Sequence, residues 1–157
     1  MEAQILHENL APTSKREHSL ILKKYNGEDL SPPIKVYLSH NISSQQFLEL
    51  FPSEAENRLV PAYGFSALND WFSKLTQNLK LQQDEAHPHH KRLYELRELD
   101  IEAADWFSKN KLGFMKIQSR ITRGVGPDDW IPGAVFLRGG SVAILVSPSR
   151  LLVVPRD

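Results

Sequence analysis

The chain contains no cysteine among its 157 residues, which excludes a disulfide frame, a thiolate nucleophile and a cysteine-based metal site. It also lacks net charge: 19 basic residues balance 19 acidic ones, so no long-range field is available to gather nucleic acid or an anionic membrane. Long apolar runs are missing as well. The longest lie between Ala134 and Pro155, are broken by Arg138, Gly139 and Gly140, and fall short of the ~20 residues a membrane helix needs. Residues 1–17 carry Glu2, Glu8 and Glu17 and no apolar core, so they read as a flexible N-terminus rather than a leader. These absences suit a cytoplasmic protein with neither nucleic acid nor membrane as partner.

What is present is ordinary for a globular protein, with 41% apolar and 24% charged residues. Ser19 to Tyr25 and Ile34 to Leu38 read as strands, separated by the turn material Asn26-Gly27-Glu28-Asp29 and by Ser31-Pro32-Pro33. The prolines suggest that the second strand begins at a sheet edge. Ser43 or Ser44 can cap a short helix that Pro52 ends, with Phe47, Leu48, Leu50 and Phe51 on its apolar side. Phe65, Leu68, Trp71, Phe72, Leu75 and Leu79 recur at helical spacing, with Asp70, Lys74, Gln77 and Asn78 opposite, which predicts a core-facing helix.

Residues 82–91 form a polar loop, and the apolar residues from Leu93 to Trp106 fit a helix or a strand equally. From Met115 to Thr122 apolar and polar residues alternate, as in a half-exposed strand. Gly124 to Asp129 is a turn, and Val135 to Leu137, Val142 to Val146 and Leu151 to Val154 are short strands. Strands, then helices, then strands predict an α+β fold.

Candidate chemistry is sparse. His87, His89 and His90 stand beside Asp84 and Glu85, but no second pair at helical or finger spacing completes a metal site, and Pro88 favours a solvated loop. Phosphate-loop and nucleophile-elbow motifs are absent. Trp71 and Trp106 lie in apolar patterns and are expected in the core. Trp130 follows the polar turn Pro127-Asp128-Asp129, where an indole either packs over a sheet edge or is available to stack on a planar ligand.

One family resemblance stands out. Leu112-Gly113-Phe114-Met115-Lys116, Trp130-Ile131-Pro132-Gly133 and Val135-Phe136-Leu137-Arg138-Gly139-Gly140-Ser141-Val142 follow one another as in the segment leading into the Nudix domain of ADP-sugar diphosphatase-like hydrolases. Val60-Pro61-Ala62-Tyr63-Gly64-Phe65 and Asn69-Asp70-Trp71 resemble that family's upstream region. The likeness covers roughly residues 18–146. It implies a small N-terminal antiparallel sheet with two helices over residues 18–110, a dimerisation-type region, and the first strands of an αβα Nudix sandwich over 111–157.

It further implies cleavage of a nucleoside diphosphate sugar, such as ADP-ribose or ADP-glucose, with Mg²⁺ or Mn²⁺, in a homodimer or heterodimer. Trp130 takes the place of a tryptophan that stacks on adenine. Arg138, otherwise a surface arginine at a strand end, could approach a phosphate. The family's catalytic box of glutamates on one helix does not occur within these 157 residues. Arg97-Glu98-Leu99 with Glu102 imitates it superficially, but Ile101, Gln83 and His89 stand where two glutamates and a glycine belong. No catalytic residue and no metal ligand is therefore expected in this chain, and the sequence is expected to be the truncated N-terminal portion of such an enzyme. The alternative is a regulatory module that pairs with a full-length relative.

Overall fold

The computed structural model describes residues 18–52, 63, 65–124, 129–131 and 133–139. The expected flexible N-terminus 1–17 and the strands expected at 142–146 and 151–154 lie outside them. Strand β1 (His18–Tyr25) turns into β2 (Glu28–Leu38) through Asn26 and Gly27 alone, at φ 49° and 75°. Two consecutive left-handed residues match the twist of a hairpin, so pairing resumes at once with Tyr25 opposite Glu28. Glu28 and Asp29, expected in the turn, are thus strand residues.

The expectation that the second strand begins after the prolines is also corrected. Leu22 faces Ile34 and Lys24 faces Asp29, so β2 spends five positions where β1 spends two. The surplus, Leu30 to Pro33, bulges out of the ladder, and the missing proline N–H groups leave no hydrogen bond unmade. The strand is interior to the sheet, lying between β1 and β3.

Helix α1 (Ser44–Leu48) starts with a capping box. Gln46 N–H donates to Ser43 Oγ at 3.1 Å, and Ser43 N–H donates to Gln46 Oε1 at 2.9 Å. Regular helix ends before the expected Phe51, but tighter turns follow: Leu50 and Phe51 N–H donate to Phe47 and Leu48 carbonyls. Phe47, Leu50 and Phe51 therefore still reach the core. Helix α2 (Ala67–Leu81) buries Leu68 and Phe72, half-buries Trp71, Leu75 and Leu79, and exposes the predicted polar side.

The ambiguous segment resolves as strand β3 (Glu95–Ser108), paired antiparallel with β4 (Lys111–Thr122). Register shifts between Leu96 and Glu98 and between Ile101 and Ala103 insert an extra residue twice. The buried positions become Leu96, Leu99, Ile101 and Ala104, a 3-2-3 spacing that imitates a helix. Short strands β5 (Trp130–Ile131) and β6 (Ala134–Arg138) both pair with β4.

The molecule is α+β, as expected, but the six strands among the described residues form a mixed sheet rather than an antiparallel one. Both helices lie in the connection from β2 to β3, which gives the long crossover that the observed parallel pairing of these two strands requires. The boundary expected between residues 110 and 111 falls in the β3–β4 turn, and one sheet runs across it. Both helices cover one face of the sheet, where Val36, Leu99, Ile101, Met115 and Ile117 meet Phe47, Phe65, Leu68 and Phe72. Tyr25 fastens β1 to α2: its hydroxyl bonds Asn69 Oδ1 (2.7 Å) and Ser73 Oγ (2.6 Å), and its ring sits edge-on to Phe72.

Candidate functional site

Alternation along the strands sends every second side chain away from the helices. Among the described residues no helix or strand packs over that second face. It carries Lys35 and Tyr37 from β2, Glu98, Asp100 and Glu102 from β3, and Lys116, Gln118 and Arg120 from β4. Carboxylates on β3 are thus flanked by cations on both neighbours. Glu102 Oε2 lies 2.5 Å from Lys116 Nζ, a contact of charges rather than a well-angled hydrogen bond. Glu98 Oε2 lies 4.0 Å from an Arg120 Nη. The Tyr37 hydroxyl holds the Lys35 ammonium above its ordinary pKa, and Glu98 adds to this.

Trp130 completes this face. It stands opposite Thr122, on the same side as Arg120 and Gln118, and is half-buried. With Tyr37, Glu98, Asp100, Gln118, Ser119 and Arg120 it lines a cavity of about 30 Å³. That volume admits water but not an aromatic ring. Trp71 and Trp106, expected in the core, are half-buried and pack against it, and Trp106 Nε1 donates to the Asn41 carbonyl at 3.0 Å.

Arg138 stands opposite Phe114, on the same face as Trp130 but eight positions along β4 from Thr122. At ~3.3 Å per residue the two predicted site residues are about 26 Å apart. They share a face but do not form one pocket. Arg138 is exposed, near the aromatic pair Phe114–Phe136.

Asp129, the residue immediately before Trp130, is held by charge. Arg123 donates to Asp129 Oδ1 from Nε (3.0 Å) and Nη2 (2.9 Å), and Arg92 Nη2 donates to Asp129 Oδ2 at 3.2 Å. Arg123 also lies over the Tyr94 ring, 4.9 Å from its centroid. Asp129 raises the arginine's already high pKa. Sequence patterns did not reveal this cluster, because Arg92 and Asp129 are 37 positions apart.

The described residues do not fit the divalent cation that the resemblance implies. Glu98, Asp100 and Glu102 are spread along a strand rather than converging from a helix, and Glu98 and Glu102 already have cationic partners. No group of three or more metal-ligating side chains occurs among the described residues. The histidines act within their loop: His87 Nδ1 accepts from His89 N–H at 3.2 Å, and His90 Nδ1 lies 3.3 Å from the Gln82 carbonyl. Arg97-Glu98-Leu99 stands on β3, with Arg97 paired to Glu95, not on the helix a catalytic box requires.

A second hollow went unpredicted. β2 and β3 pair only from Lys35–Glu98 to Tyr37–Asp100. Where they diverge, a cleft of about 270 Å³ opens between Leu30 to Pro32, Leu93 to Leu96 and the C-terminal part of α2. Lys80 closes part of its rim by pairing with Glu28 at 2.6 Å, and this contact holds the Glu28 carboxyl below its ordinary pKa. No predicted site residue lines it.

No helix among the described residues is long and apolar enough to cross a membrane. Comparison with family models, with curated proteins and with solved structures finds no match to the chain.

Proposed function

We propose that this chain is a nucleotide-binding N-terminal portion of a Nudix-type hydrolase resembling the ADP-sugar diphosphatases, and that alone it binds its nucleotide without cleaving it. The observation that carries the reading is Trp130 on the polar face, beside Tyr37 and Arg120. A half-exposed indole offers a π-face to a purine, and the neighbouring amide, carboxylates and guanidinium offer the donors and acceptors that a nucleotide's polar edges require. Arg138, at the far end of the face, is too distant to touch the diphosphate of the same base-stacked ligand unless a second copy supplies it. The glutamate set that would bring a cation to the diphosphate is missing from these residues, so no hydrolytic step is assigned to them.

Titration of AMP into the purified chain, followed calorimetrically, tests the reading. Wild type is expected to bind. Trp130→Ala is expected to lose tenfold or more in affinity, since base–aromatic stacking is worth about 1–3 kcal/mol. Equal affinity in the two proteins contradicts it.

A second reading, a module that pairs with a full-length relative, is favoured by the edge of the sheet. β1 has one neighbour among the described residues, and Ile21 on it is 51% exposed.

A further inference from the structure

We propose that Asp129 is a positioning residue for Trp130, and that Arg92 and Arg123 act through it. Strand β5 is only two residues long and meets β4 at two residue pairs, Ile121–Ile131 and Thr122–Trp130. So short a ladder does little to fix the direction in which the indole projects. The residue immediately before it, by contrast, is gripped from two distant segments.

Arg123, at the end of β4, gives Asp129 Oδ1 two N–H bonds, and its own backbone N–H reaches the Asp129 carbonyl at 3.3 Å. Arg92, from the loop after α2, takes the other carboxylate oxygen. Arg123 is in turn seated on Tyr94, whose backbone is tied to Gln82 at the end of α2. The Arg123 and Asp129 side chains are 28% and 22% exposed, whereas Arg92 is 55% exposed. Arg123 is therefore the principal arm, and Arg92, screened by water and salt, the lesser one. Together they connect the histidine-bearing loop, the end of β4 and the stacking residue into one unit. Loss of the carboxylate leaves the backbone from which the indole projects held only by the Arg123 N–H bond and the two-residue ladder, without removing any group of the polar cavity.

The positioning claim stands on this geometry alone; its consequence for ligand rests on the nucleotide reading above. The test uses the full chain grown with 5-fluorotryptophan and observed by ¹⁹F NMR without ligand. Three tryptophans give three resonances, and Trp130→Phe identifies the one in question. In Asp129→Ala the Trp130 line is expected to shift or broaden while the Trp71 and Trp106 lines stay in place. Arg123→Lys, which keeps the charge but cannot make both side-chain bonds, is expected to do the same to a smaller extent, and decides the matter if Asp129→Ala fails to fold. An unmoved Trp130 line in the folded variant overturns the proposal.

AMP added afterwards reads the other claim separately. Its affinity is expected to fall about tenfold in Asp129→Ala, because a recognition group must be held within ~0.5 Å of its place. If AMP leaves the wild-type Trp130 line unchanged, the nucleotide reading fails, and the ligand-free comparison still decides the role of Asp129.

Discussion

At the scale of single residues, two kinds of side chain organise the molecule, and only one was visible in advance. Trp130 stood out because an indole after Pro-Asp-Asp is unusual beside a polar turn, and it is half-buried on the polar face. Gln82 was not, since it sits in the polar stretch 82–91 and looks like part of a solvated loop. It is buried, donates from Nε2 to the carbonyls of Leu79 (3.0 Å) and Tyr94 (3.2 Å), and accepts from Tyr94 N–H at 2.9 Å. One amide thus joins the end of α2 to the start of β3. Gln82→Ala is expected to cost about 1–3 kcal/mol, the range for leaving buried polar groups unpaired, measured as a lower urea midpoint with unchanged slope. A midpoint equal to wild type means that water replaces the amide without loss. Asp129 and its arginines escaped the sequence for a related reason, because hydrogen bonds across 37 positions leave no periodic trace.

Elements were legible where one local rule dominated. The turn material beginning Asn26-Gly27 set off β1, one of the two candidate caps, Ser43 or Ser44, is the observed Ser43, and the apolar side of α2 gave a core-facing helix. They were obscured where tertiary pairing altered the count. Two bulges turned the period of β3 into a helix-like pattern, and the bulge from Leu30 to Pro33 hid the first half of β2. The parallel pairing of β2 and β3 was not legible either, because direction depends on the crossover between strands rather than on the strands themselves. The sheet edge carries a prediction of its own. If β1 pairs with a second copy, wild type sediments as a dimer at tens of micromolar, and Ile21→Lys, a charge set into the edge, sediments as a monomer. A wild-type monomer under those conditions, or a dimer unaffected by the lysine, contradicts self-pairing through this edge.

At the scale of the whole molecule, the two faces of the sheet divide the labour. One is filled by helices and aromatic side chains and supplies stability. The other collects neutralised charge around Trp130, and its carboxylates sit beside cations of the protein rather than around an open metal position. On the proposed reading, this face recognises a polar, planar ligand and leaves its diphosphate intact. Dialysis of the folded chain to equilibrium against ADP-ribose with Mg²⁺, and again with Mn²⁺, followed by chromatography of the nucleotide on both sides of the membrane, tests this most directly. Excess ADP-ribose on the protein side, recovered intact, is the expected result. AMP accumulating above a protein-free blank, or no excess ligand at all, contradicts it.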